Sequence, residues 1–146
     1  MLRKTLAIVL ALVAGGIFNM ALIQVSHVMY PLPEGIDPND FEQFRAYVES
    51  HGMPTGALIV VLLAHAGGSL VSGLVCGLIA KRRWYTAAIA LGLVWTAGGV
   101  AMLYMLPSPT WFAACDVLLY VPAALVGVVL GAAITGESAQ PVKPSS

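Results

Sequence analysis

The 146 residues are 59% hydrophobic and only 10% charged, with a formal net charge of zero. A soluble domain carries roughly a quarter charged residues, so too little polar surface is left here for a water-facing shell. The balanced charge also excludes the basic face that nucleic-acid binding requires.

Most of the charges gather at the N-terminus, in 34–49 and at 81–83, and long apolar runs separate them. A helix crosses a bilayer in roughly 20 residues, and four runs meet that length. They predict spans at about 5–29, 55–80, 84–106 and 110–134, within a membrane domain over 1–135. All four are predicted helices, because backbone in hydrocarbon must satisfy its own hydrogen bonds and no strand alternation is visible. The fold class is therefore all-α, a four-helix transmembrane bundle.

The first run follows Met1-Leu2-Arg3-Lys4 and outlasts the roughly 7–15 apolar residues of a secretory signal. It reads as an uncleaved anchor, although Leu12-Val13-Ala14 before Gly15 has the character of a cleavage site. Pro31-Leu32-Pro33-Glu34-Gly35 ends it, since proline cannot continue a helix. The loop 30–54 then carries its own helix signal: Asp37 as N-cap and Pro38 in the first turn. Phe41, Phe44, Tyr47 and Val48 recur at helical spacing opposite Glu42, Arg45 and Glu49, and His51-Gly52-Met53-Pro54 closes the segment. This predicts a short amphipathic helix that lies on the outer membrane surface or caps the bundle.

Lys81-Arg82-Arg83 and Pro107-Ser108-Pro109 are turns too short to hold a site. The polar segment 136–146, with Pro141 and Pro144, reads as a disordered cytoplasmic tail. Arg3, Lys4, Lys81, Arg82, Arg83 and Lys143 fall on one side and only Arg45 on the other, which predicts cytoplasmic termini. Ala14-Gly15-Gly16-Ile17 and Ala97-Gly98-Gly99-Val100 hint weakly at duplicated hairpins.

Polar residues inside the spans are costly in hydrocarbon and mark candidate function. Span two places His65, Ser69, Ser72 and Cys76 on one face, and span four does the same with Asp116, Tyr120, Ala123, Gly127 and Gly131. Span one contributes Asn19, Gln24, Ser26 and His27. Span three contributes Gly92, Thr96 and Gly99, with Tyr104 further round. A rise of about 1.5 Å per residue puts His65 roughly 15 Å, Asp116 roughly 10 Å and His27 about 5 Å inside the outer ends of their spans. The candidate ligand-binding set is therefore His65, Asp116, Tyr120, Asn19, His27 and Gln24, converging beneath the 30–54 loop.

No catalytic residue is assigned. Asp116 has no second carboxylate beside it in the bundle, and no Ser or Cys nucleophile has an evident base. Bis-histidine haem and zinc sites are not supported, because His27 and His65 differ in depth by roughly 10 Å and a zinc set lacks ligands. Cys76 and Cys115 read as small packing residues. No cofactor or metal is expected. The Ala123–Gly127–Gly131 stripe allows close helix contact, either within the chain or between copies, and the expected partners are membrane lipid and a second copy or a larger membrane complex.

The run Gln24-Val25-Ser26-His27-Val28-Met29-Tyr30-Pro31-Leu32-Pro33 with Asp37-Pro38-Asn39-Asp40, the turn Ala80-Lys81-Arg82-Arg83 and the later Pro109-Thr110-Trp111-Phe112 together form a pattern. It resembles a family of small bacterial four-helix integral membrane proteins. The position of Gln24 is often acidic in that family, three residues before the histidine, and this chain carries an amide there. The resemblance implies topology and a bacterial inner-membrane location, and it implies no activity. The leading expectation is a non-enzymatic accessory or structural membrane protein of unknown biochemical role. The alternative is a protein that binds or transports a small ligand, lipid or proton through its outer polar cluster.

Overall fold

The computed structural model describes residues 2–136, so the expectation for the tail falls almost wholly outside the described residues. The chain forms five helices: α1 (Leu2–Met29), α2 (Phe41–His51), α3 (Thr55–Ala80), α4 (Tyr85–Met105) and α5 (Thr110–Ile134). Four of them, all but α2, are long and apolar enough to cross a membrane. The predicted limits hold for α3 and α5, whose starts directly follow Pro54 and Pro109. The other two differ by a few residues, as fraying ends do.

α3 is the central element. It packs extensively against α5 and α1 and more lightly against α4; α4 also packs on α5, while α1 and α4 barely touch. Small residues make the α3–α5 approach possible. A Cβ on Gly73 or Gly77 would run into the backbone of Ala124 or Val128, and one on Gly127 or Gly131 into the backbone of Leu70 or Leu74. Two backbones in contact leave no room for side chains between them, the arrangement that small-xxx-small spacing allows in membranes. The stripe is thus occupied within the chain. Its buried member beside Tyr120 is Ala124, whereas Ala123 is half-buried.

Other α3 glycines receive aromatic rings. Tyr30 lies over Gly56, Phe18 over Gly67 and Trp95 over Gly68. The outward faces are apolar, with Val13, Ile17, Leu93, Leu118 and Ile134 all exposed, as lipid-facing surfaces are. In the two Ala-Gly-Gly segments different members face inward. Gly15 abuts Ser72 and Gly68, and Gly99 abuts Tyr120, whereas Gly16 and Gly98 have open space before them. The repeat does not extend to packing.

At the end bearing the basic turn, Lys81 adopts the left-handed conformation (φ 55°), and its amide donates to the carbonyl of Gly77 at 2.8 Å. The Trp84 ring takes Lys4 at 5.7 Å and Arg82 at 5.4 Å from its centre, tying the start of α1 to this turn.

At the opposite end, α2 begins later than the Asp37-Pro38 signal predicts. Its N-cap is Asp40, whose Oδ1 accepts from the Gln43 amide at 3.2 Å. Asp37 instead holds the preceding turn. Its Oδ1 accepts from the Asn39 amide at 2.8 Å, and its carbonyl from the Asp40 amide at 3.1 Å. Gly52, at φ 70°, ends the helix with its amide bonded to the Val48 carbonyl. Val48 is buried and Phe44 and Tyr47 are partly covered, while Glu42, Arg45 and Glu49 are exposed, with Arg45 and Glu49 paired at 2.8 Å.

Candidate functional site

Between α2 and the spanning helices lies a cavity of about 440 Å³. Volumes of roughly 300–1,000 Å³ are usual for small-molecule sites. Its walls come from the last turns of α1 and α4, the first turns of α3 and α5, and the Phe44–Tyr47 face of α2. They are mostly apolar, with Ile23, Leu58, Val61, Met102, Leu103 and Leu106 among them. Tyr30, Phe44, Tyr47 and Phe112 add aromatic surface.

His65 and Asp116 are the cavity residues furthest along α3 and α5 from their α2-side ends. Asp116 is 1% exposed, and the His65 side chain 16%. The His65 Nδ1 lies 2.7 Å from Asp116 Oδ1, the length of a charge-assisted hydrogen bond to a carboxylate. Tyr120, one helical turn beyond Asp116 and equally buried, donates its hydroxyl to both carboxylate oxygens at 3.0–3.1 Å. The same hydroxyl is 2.9 Å from His65 Nδ1. A carboxylate with several acceptor positions is thus served by two donors from its own bundle.

A second layer holds this cluster in place. Ser69, one turn along α3 from His65, donates to the Tyr120 carbonyl at 2.7 Å. The Trp95 ring lies 6.5 Å from that of Tyr120 at an interplanar angle of 17°, and its Nε1 donates to Ser72 at 2.9 Å. Gly99 provides the space into which the Tyr120 hydroxyl fits. These contacts fix the rotamers of Tyr120 and His65 from α3, α4 and α5 together.

The structure brings together three of the six candidate residues, His65, Asp116 and Tyr120, and puts a fourth, His27, on the cavity wall. The remaining two lie elsewhere. Gln24 is exposed on the outer face of α1. Asn19 is half-buried where α1 meets Gly68, and its Oδ1 is enclosed without a hydrogen-bond partner. Tyr104 is 87% exposed. Cys76 is buried as a packing residue, but Cys115 faces outward, because the burial of Asp116 turns its neighbour to the surface. Trp95 was not singled out from the sequence. Its spacing from Gly92 and Gly99, at three and four residues, is the signal that places it on the inward side of α4.

Three or more His, Cys, Asp or Glu side chains do not gather at any point among the described residues. No protein-family model, curated protein or solved structure matches the chain. The site combines an apolar chamber that has aromatic residues in its walls with a single carboxylate, Asp116, at its inner end, bonded to the imidazole of His65.

Proposed function

We propose that the chain is a multi-pass protein of the bacterial inner membrane, with both termini cytoplasmic, that binds a small amphiphile in the cavity under α2 without transforming it. The basic residues at one end of the bundle, Arg3, Lys4 and Lys81–Arg83, support that orientation, against Arg45 alone at the other. The resemblance to small bacterial four-helix proteins supports the location.

The observation that carries the binding reading is the cavity placed directly before the His65–Asp116–Tyr120 cluster. A packing role, as in an accessory or structural protein, accounts for the hydrogen bonds within the cluster, of which the two made by His65 join α3 to α5. Interhelical bonds of this kind contribute about 0.6 kcal/mol each on average. Packing alone gives no reason for a partly open cavity of roughly 440 Å³ to lie where the bundle carries its only spanning-helix carboxylate. Apolar walls supply affinity by burial and the inner polar groups fix orientation, the usual division of labour in ligand pockets. His65 meets the ligand, Asp116 holds the imidazole in place, and Tyr120 stabilises the carboxylate. Among the described residues the cavity lining holds one carboxylate, Asp116, and no second one to pair with it as acid and base.

The test is native mass spectrometry of the full chain released from mild detergent, before and after adding a series of phenylalkyl amphiphiles. A saturable adduct on the wild type that is lost in Leu58→Trp, which fills the cavity, supports the reading. A bare chain throughout, with thermal stability unmoved by every amphiphile, returns the cluster to packing.

A further inference from the structure

The proton inventory of the cluster identifies the class of amphiphile, given the binding reading above. We infer that the cavity takes a singly charged organic cation and releases one proton for each cation bound.

Tyr120 is a neutral donor to the carboxylate, so the Asp116–His65 pair sets the local charge. With one proton on the imidazole Nδ1 and an ionised carboxylate, the pair carries one negative charge. Adding a second proton makes the cluster neutral, whether it stands as carboxylate with imidazolium or as carboxylic acid with imidazole. These two forms differ only in where the proton sits along the 2.7 Å Nδ1–Oδ1 contact. In both, Nε2 bears a hydrogen.

The neutral state suits the surroundings. An unpaired charge within a membrane is expensive, and no Lys or Arg lines the cavity. The titratable groups facing it are few on every side. α1 contributes His27, α2 contributes Tyr47, the segment after α1 contributes Tyr30, α3 contributes His65, α5 contributes Asp116, and α4 contributes only Gly99 and apolar side chains. The singly negative state is the one that a positive charge brought into the cavity would compensate. A cationic head inside the cavity does so, and the aromatic side chains of Tyr30, Phe44, Tyr47 and Phe112 in its walls favour a cation. The proton leaves the Asp116–His65 pair for solvent, the cation enters, and the occupied and empty sites carry the same net charge of zero. His27 acts in the same direction, since its protonated form would repel the incoming cation. Anionic amphiphiles find no compensating charge.

The probes are three molecules sharing one apolar body: phenylbutyl-trimethylammonium, whose charge is independent of pH, neutral phenylbutanol, and phenylbutanoate. Each is titrated calorimetrically into the full chain in detergent, in two buffers of different ionisation enthalpy, which gives the number of protons released. The expected result is preferential binding of the cation with release of about one proton. Within the range in which the free cluster is protonated, its affinity then falls about tenfold for each unit by which the pH is lowered, as one-proton linkage requires. In Asp116→Asn the cation loses its advantage over the alcohol, and in His27→Ala proton release persists. Equal binding of all three probes without proton release overturns the exchange while leaving an amphiphile site in place. Failure of all three to bind overturns the site itself. The proton count on the wild type needs no variant, so it decides the matter even if Asp116→Asn does not fold.

Discussion

The two ends of the α3–α5 pair solve opposite problems. Toward the basic turn, Gly73, Gly77, Gly127 and Gly131 bring the two backbones into direct contact, and there is no room for a methyl group. Toward α2, the same helices carry His65, Ala57 and Leu58 on one side and Phe112 and Asp116 on the other, and they border a cavity. Pro122 lies between the halves, on the exposed side of α5, where a missing amide frees the carbonyl one turn back. One end is closed by small residues so that the other can hold space. In a bilayer, where the hydrophobic effect does not drive helices together, close packing is the main source of association. A bundle that keeps a cavity at one end therefore has its packing concentrated at the other.

Substitutions sort by which half they touch. Gly127→Val forces a side chain into the Leu70–Leu74 backbone and is expected to destabilise by about 1–3 kcal/mol or more. Gly98→Val, which faces open space, should stay within about 0.5 kcal/mol of wild type. Thermal unfolding in detergent compares them, and equal effects would break the contrast between a closed end and an open one. Next in size, Asp116→Ala removes the acceptor shared by the Tyr120 hydroxyl and His65 Nδ1, leaving those two only each other, and should cost about 1–3 kcal/mol. Asp116→Asn keeps the shape and an acceptor and should cost less in the same assay.

Smaller still, Tyr120→Phe removes the hydroxyl but keeps the ring against Trp95. The expected loss is about 0.6–1.7 kcal/mol, the range for polar contacts within membranes. Trp95→Phe removes one hydrogen bond to Ser72 and should cost about 0.6 kcal/mol beyond its packing change. If either exceeds the glycine substitution when measured by steric trapping, stability resides in the polar half and the comparison is reversed.

The spans were legible because hydropathy and proline act locally. Pro54 and Pro109 mark the starts of α3 and α5 without reference to the rest of the chain. Asp116 and Tyr120 are one turn apart on one helix, and depth alone aligns His65 with them, so this much of the cluster follows from counting residues. α1 resisted the same counting. It packs mainly on α3, leaving most of its circumference exposed, so Asn19, Gln24 and His27 diverge although all three are polar. The start of α2 was ambiguous for a different reason. Asp37 and Asp40 are both good caps, and only the turn through Pro38 and Asn39 decides between them. The cavity was not legible at all, since empty volume depends on how four helices and α2 diverge in space, and no single segment records that.

The central place of α3 also bears on the order in which the molecule comes together. α1 reaches the other spanning helices almost entirely through α3, and α4 and α5 form a hairpin of their own. Each of these pairs has its own contacts before the glycine seam between α3 and α5 joins them. The chamber draws walls from α1, α3, α4 and α5 at once. A half-assembled chain therefore has helix pairs but no chamber.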